Sequence, residues 1–166
     1  IPQLKELNND SSYIEGKTSK AIKSYDGTLY GTLICYDSVF SEIARQSVKN
    51  GADIIAVSTN DSWYKNGFAV KNHKNQSVIR AIETGRYVFR SANTGISCII
   101  TSKGDVLSES KILEKTVVVG KGYTIQKNTL FVILGNTSLF ASFALIILLF
   151  SLNIFKKCRL YRFINI

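Results

Sequence analysis

Cys35 is the residue whose type and setting best suit a nucleophile. It ends an apolar run, Thr28-Leu29-Tyr30-Gly31-Thr32-Leu33-Ile34-Cys35, and directly precedes a segment patterned as a helix, residues 38–50. A turn between strand and helix exposes a side chain close to helix N-terminal N–H groups, which favour an anion and can stabilise an oxyanion. A cysteine within an apolar run is otherwise small core filling, and Cys98, in Ser97-Cys98-Ile99-Ile100, is read that way. Other polar residues gather in the same pattern. Asp37 stands two past Cys35, Asn60-Asp61-Ser62-Trp63-Tyr64 follows a second apolar run, and Ser91-Ala92-Asn93-Thr94-Gly95 follows a third. In a layered α/β sheet the carboxyl ends of strands share one edge, where ligands bind. The turn propensity of Asn and Asp accounts for part of this clustering.

The elements that must position these residues follow from period and breakers. Strands are expected over residues 28–35, 53–58, 87–91, 96–101, 106–108 and 116–119, with Lys103-Gly104-Asp105 as a hairpin turn. Helices are expected over 38–50, capped by Ser38 and ended by Asn50-Gly51, and over 71–86, with 59–70 as a loop. This alternation is an α/β pattern, one layer of a sandwich. The segment 128–155 holds 28 residues without a charge. At about 1.5 Å per residue it exceeds a hydrocarbon core of ~30 Å, so it is expected to span a membrane. Lys156, Lys157, Arg159 and Arg162 follow at once, and positive flanks stay cytoplasmic. The chain thus divides into a body (1–127) outside the cytoplasm, a transmembrane helix (128–155) and a basic cytoplasmic tail (156–166). Cys158, in that tail, is a juxtamembrane thiol.

Composition narrows the classes further. The chain has 166 residues and no methionine, which leads us to expect a piece of a longer protein. One proline and 45% hydrophobic residues exclude collagen and wholesale disorder. Three scattered cysteines and one histidine argue against a disulfide scaffold, a CxxC metal site or a His-rich one. The net charge is +9. All 12 acids and 17 of the 21 bases precede Asn128, so the last eleven residues carry +4. That density reads as a topology and lipid-headgroup signal, not as a nucleic-acid surface.

Five motifs in order carry a resemblance. They are Ile34-Cys35-Tyr36-Asp37, then Ser58-Thr59-Asn60-Asp61-Ser62-Trp63-Tyr64 with His73, Arg80-Ala81-Ile82-Glu83-Thr84-Gly85-Arg86, Arg90-Ser91-Ala92-Asn93-Thr94-Gly95, and Gly104. The chain resembles the carbon–nitrogen hydrolase (nitrilase) superfamily and, within it, the bacterial apolipoprotein N-acyltransferase branch. The resemblance implies a nitrilase-like α-β-β-α sandwich and a Glu–Lys–Cys triad with Cys35 as nucleophile. It implies a phospholipid acyl donor, a diacylglyceryl apolipoprotein acceptor, a place in the bacterial inner membrane with the body periplasmic, and no cofactor. Tyr36, Asp37, Asn60, Trp63 and Tyr64 match substrate-binding positions, with Tyr36 and Trp63 flanking a lipid entrance. Asp37 departs from the Glu usual there and is one methylene shorter. The triad's Glu and Lys match nothing here: Glu6, Glu15, Lys17, Lys20 and Lys23 lie in a polar stretch without the motif, and Ile1-Pro2 resembles only the end of the Lys-bearing segment. His73 is expected to be structural, and Arg80, Glu83 and Arg86 to form a helix-face ion-pair network. Two other readings stay open, a membrane-tethered amidase and an inactive remnant.

Overall fold

The structure is a computed structural model that describes residues 18–164, with side chains described except at Ser138 and from 155 onward. Ile1-Pro2, Glu6, Glu15 and Lys17 lie outside the described residues, and so do the side chains of the basic tail and Cys158.

The apolar runs form strands β1 (Ala21–Lys23), β2 (Leu29–Ile34), β3 (Ile54–Asn60), β4 (Tyr87–Asn93), β5 (Cys98–Ile100) and β6 (Val106–Glu109). They lie in one sheet in chain order. β2, β3 and β4 are parallel, and the pairs on either side of them are antiparallel. The two parallel steps are made by helices α1 (Ser41–Lys49) and α2 (Gly67–Thr84). Their buried sides meet the sheet face carrying Leu33, Ile55, Val57 and Val88, all essentially inaccessible to water. Period-two alternation sends Thr32, Ile34, Ser58 and Ser91 to the opposite face. That face carries an open depression of about 730 Å³, lined by Ile34, Ser58, Phe89, Ile99 and Val117 among others. Among the described residues, helices cover the strands on one side only.

Several elements depart from their expected limits. β1 was not foreseen, because three residues of mixed polarity carry no period. Residues 116–119 do not pair as a strand; they run irregularly past Ile99, with Val117 and Val119 exposed. The expected helix over 38–50 splits into a 3₁₀ turn, Cys35–Val39, and α1, separated by extended Phe40. Ser38 is then no cap: it is buried, and its hydroxyl donates to Cys35 O at 2.8 Å. α2 starts at Gly67, four residues early, because Asn66 Oδ1 accepts from Ala69 N at 2.9 Å and caps it.

The expected single helix over 128–155 is also interrupted. A short helix α3 (Leu130–Leu134) is capped by Thr129 and ends at Gly135, whose φ of 57° breaks the helical path. Val132 of α3 is buried in the core, so the body continues past residue 127. Arg45 Nε donates to Phe131 O (3.2 Å) and Arg86 Nη1 to Lys127 O (2.9 Å), tying this segment to the helical layer. The long helix α4 is Thr137–Ile164. Its residues Leu139, Phe140, Phe143, Ile146, Ile147 and Phe150 are all more than half exposed. Among the described residues, no helix is long and apolar enough to cross a membrane.

Candidate active site

Cys35 sits at the carboxyl end of β2 with φ +50°, a left-handed conformation that costs a side chain ~1–2 kcal/mol. Such strain persists only where the surroundings over-determine it. Here they do. Asp37 Oδ2 accepts from Ile34 N (3.0 Å), closing the turn from within. Ser38 Oγ donates to Cys35 O, and Arg80 Nη1 donates to Val39 O at 2.7 Å. Cys35 is half-buried, whereas Cys98 is buried and its thiol is pushed up to about 11 by burial. The expectation that an α-helix starts next to Cys35 is corrected: a 3₁₀ turn intervenes and α1 begins only at Ser41.

Behind the turn lies a buried polar network from three strand ends. Asp61, the residue directly after β3, accepts from Arg90 Nη2 at 3.0 Å and Thr59 Oγ1 at 3.0 Å. His73 Nδ1 is 2.8 Å from Asp61 Oδ1. The opposite ring nitrogen, Nε2, faces Ser38 Oγ at 3.3 Å and Cys35 O at 3.4 Å. Burial pushes the Asp61 carboxyl up, but the His73 hydrogen bond and the Arg90 charge outweigh it and hold the group below its ordinary value. Gly95 makes the close packing possible, since a Cβ there would lie 2.0 Å from Asp61 Oδ2.

Of the sequence-predicted residues, the structure brings Cys35, Tyr36 and Tyr64 together around His73. The ring of Tyr64 meets His73 edge-on at 5.6 Å, and Tyr36 lies 6.2 Å from it and 5.9 Å from Phe40. Burial, then the Asp61 charge, push the Tyr64 hydroxyl above its ordinary value, which keeps it a neutral donor. Asn60 ends β3 and Trp63 lies in the loop that follows it. Asn60 Oδ1 accepts from Ser62 N and Asn93 Nδ2, and Asn60 O accepts from Trp63 Nε1 at 2.8 Å. Trp63 and Tyr36 are exposed. Asp37 and Asp61 are both engaged in bonds that shape the turn. Among the described residues, no cluster of His, Cys, Asp or Glu gathers to hold a metal ion.

Two expectations need correcting. Arg86 does not join Arg80 and Glu83, which pair at 2.9 Å. It lies past the helix end and serves carbonyls of Ala52 and Lys127. Because α2 begins at Gly67, His73 is not in its first turn, where the expected helix over 71–86 placed it. It stands in the second turn, 3% exposed, at the centre of the network. The available signal was Arg90, a cation two residues from inward-facing Val88, which demands a buried anion on the same sheet face.

A strained, half-buried cysteine at a strand end, backed by buried polar residues, is an arrangement that could present a thiol nucleophile. The sequence profile of the family described as Carbon-nitrogen hydrolase matches residues 2–121. The chain belongs to the carbon-nitrogen hydrolase family. It is 31% identical over 128 residues to the apolipoprotein N-acyltransferase of Haemophilus influenzae, covering 77% of this chain and 24% of that one. The apolipoprotein N-acyltransferase of Bdellovibrio bacteriovorus is 38% identical over 86 residues, 52% of this chain and 16% of that one. The chain thus spans about a quarter or less of the length of these curated relatives. Among solved structures, an amidase from Nesterenkonia sp. superposes with a TM-score of 0.57 at 18% identity, covering 79% of this chain and 49% of the amidase. At that identity the likeness shows the nitrilase-like fold alone.

Proposed function

We propose that this carbon-nitrogen hydrolase chain carries the nucleophile of a lipoprotein N-acyltransferase. The observation that carries the reading is half-buried Cys35 at φ +50°, its carbonyl gripped from behind. In the proposed reaction, Cys35 Sγ attacks the ester carbonyl of a phospholipid acyl chain. The C–O bond breaks, the lysophospholipid alcohol leaves, and the thiol proton passes to a general base. The amine of a diacylglyceryl cysteine at the start of an apolipoprotein then attacks the thioester, the C–S bond breaks, and an amide forms as the thiol is restored. The base is a Glu and the oxyanion cation a Lys by family resemblance. We assign both outside the described residues, since Asp37 and Asp61 are already committed to the turn. No step needs a metal or organic cofactor.

The remaining features fit this reading. Exposed Tyr36 and Trp63 suit the rim of a lipid entrance, where an amphipathic ring meets an interface. Tyr64 supplies a neutral donor near the thiol, Asn60 shapes the loop that carries Trp63, and Asp37 acts through the turn. The open sheet face suits the second sheet of an α-β-β-α sandwich. The uncharged part of α4, residues 137–155, exposes the apolar side chains of Leu139, Phe143, Ile147 and Phe150, which suit contact with lipid. We place it in the bacterial inner membrane, the body periplasmic and the basic tail cytoplasmic.

The test is capture of a labelled phospholipid acyl chain on the protein, released by neutral hydroxylamine. Label should appear on Cys35 and vanish in Cys35→Ala and Cys35→Ser, while Cys98→Ala retains it. Label that survives Cys35→Ala defeats the reading. Hydrolysis of small amides without acyl capture would favour a membrane-tethered amidase, and no turnover of either kind an inactive remnant.

A further inference from the structure

The buried side of α2 is polar where a helix packed on a sheet is ordinarily apolar: His73, Ser77, Arg80 and Thr84 all lie there, none more than 4% exposed. Burying such groups is costly unless each is bonded, so the sequence retains them against a penalty. Their bonds lead to the Cys35 turn. Arg90 holds Ser77 Oγ at 3.2 Å and Asp61 Oδ2 at 3.0 Å; Asp61 holds His73; His73 holds Ser38 Oγ; Ser38 holds Cys35 O. Asp61 Oδ1 can only accept, so Nδ1 donates to it; Nε2 is aimed at Ser38 Oγ, and since the Ser38 hydroxyl gives its proton to Cys35 O, the bond between them needs a proton on Nε2 as well. We infer that His73 is a positioning residue for Cys35, one that fixes the left-handed turn through Ser38 and so aims the thiol. This rests on the reading of Cys35 as the acyl-accepting nucleophile. His73 itself touches no reacting atom.

The geometry separates this role from mere satisfaction of Asp61. An Asn side chain places its amide near the position of Nδ1 and can serve Asp61, but cannot reach Ser38. A Gln side chain reaches the position of Nε2 and can serve Ser38, leaving Asp61 to Arg90 and Thr59. The assay is single-turnover butyrylation of Cys35 by p-nitrophenyl butyrate in the full chain. The sulfur bonds the acyl carbon, the ester C–O bond breaks, p-nitrophenolate leaves, and the thiol proton goes to buffer. Misaiming a reacting group by ~1 Å costs on the order of 100-fold, so His73→Asn should slow acylation by roughly 10–100-fold with half-saturation unchanged. Alkylation of Cys35 by iodoacetamide, which needs an open thiol but no aimed one, should keep its rate. His73→Gln should restore most of the acylation rate. Ser38→Ala, which deletes one buried oxygen, should slow acylation as His73→Asn does, and serves where a His73 variant fails to fold. Full acylation by His73→Asn or by Ser38→Ala overturns the inference, and so does an equal loss in His73→Asn and His73→Gln. A parent chain whose Cys35 alkylates but accepts no butyryl group overturns it as well. A parent that accepts butyryl but no phospholipid acyl chain defeats only the proposed acyl donor.

Discussion

Replacing Gly95 by Ala should damage this protein more than any ordinary methyl insertion, for a reason visible in the distances. The added Cβ would stand 2.0 Å from Asp61 Oδ2, 2.7 Å from its Cγ and 2.9 Å from its Cβ. Because all three atoms are too close, a rotation of the carboxylate cannot relieve the clash, and Asp61 must retreat by about 1 Å. It cannot do so freely, since Arg90, His73 and Thr59 hold both oxygens at 2.8–3.0 Å. Overpacking alone costs ~1–3 kcal/mol. Losing one charge-assisted bond in a buried pair adds ~1.5–3 kcal/mol. Together about 3–5 kcal/mol is expected, out of a total stability of ~5–15 kcal/mol. Each kcal/mol lowers the melting temperature by ~2–4 °C in a domain of this size. The melt should be followed by circular dichroism in mild detergent, because the single tryptophan, Trp63, is 74% exposed and reports poorly on the core. Gly67→Ala is the control: its Cβ meets only the flexible end of Ile112 at 3.3 Å, in a helix that gains from Ala. A Gly95→Ala protein within about 1 kcal/mol of the parent would show that Asp61 has another place to go, and that the network is looser than drawn.

Two further outcomes follow from other parts of the molecule. The Cys98 thiol is raised from 9.0 to about 11 in the folded chain, so its contribution is fully present below pH 9 and is lost as pH climbs through the folded value. Chemical denaturation from pH 8 to 11 should therefore show a steeper loss in the parent than in Cys98→Ala, by at most ~2–3 kcal/mol; parallel curves would contradict it. Ile147→Lys, on the exposed apolar surface of α4, should weaken flotation with anionic liposomes, since a central lysine costs ~2.5–3.5 kcal/mol in a hydrocarbon core. Unchanged flotation would remove α4 from the bilayer.

What the residues announce in advance depends on whether the signal is local. Alternation and breakers suffice for β2, β3 and β4, for the Lys103-Gly104-Asp105 turn and for the end of α1 at Asn50-Gly51, because each is decided within a few residues. They also separate Cys35 from Cys98, one at a strand end and one inside. Thr116 and three valines, 117–119, favour a strand just as strongly, yet among the described residues they pair with neither edge strand of the sheet, β1 or β6. Propensity for extended structure is realised only where a neighbour supplies the ladder. The start of α2 was hidden for the opposite reason: Gly67 and exposed Phe68 blur the helical period, and only the Asn66 cap marks it.

The buried network illustrates the harder case. Asp61, His73 and Arg90 are 29 residues apart at the extremes, and each alone has an ordinary explanation as a turn residue, a helix residue or a surface cation. The parallel register that sets Ser58 beside Ser91 and Asn60 beside Asn93 brings the loop after β3 and the end of β4 to one edge. α2 must then cross directly behind β2's exit to return to β4, which is what carries His73 to Ser38 and Arg80 to Val39. The site is therefore a consequence of topology acting on residues that carry no joint signature in the chain. A cysteine in a left-handed turn is expensive, a helix with a polar buried side is expensive, and each is explained by the other: the side chains that α2 cannot expose are the ones that hold the turn.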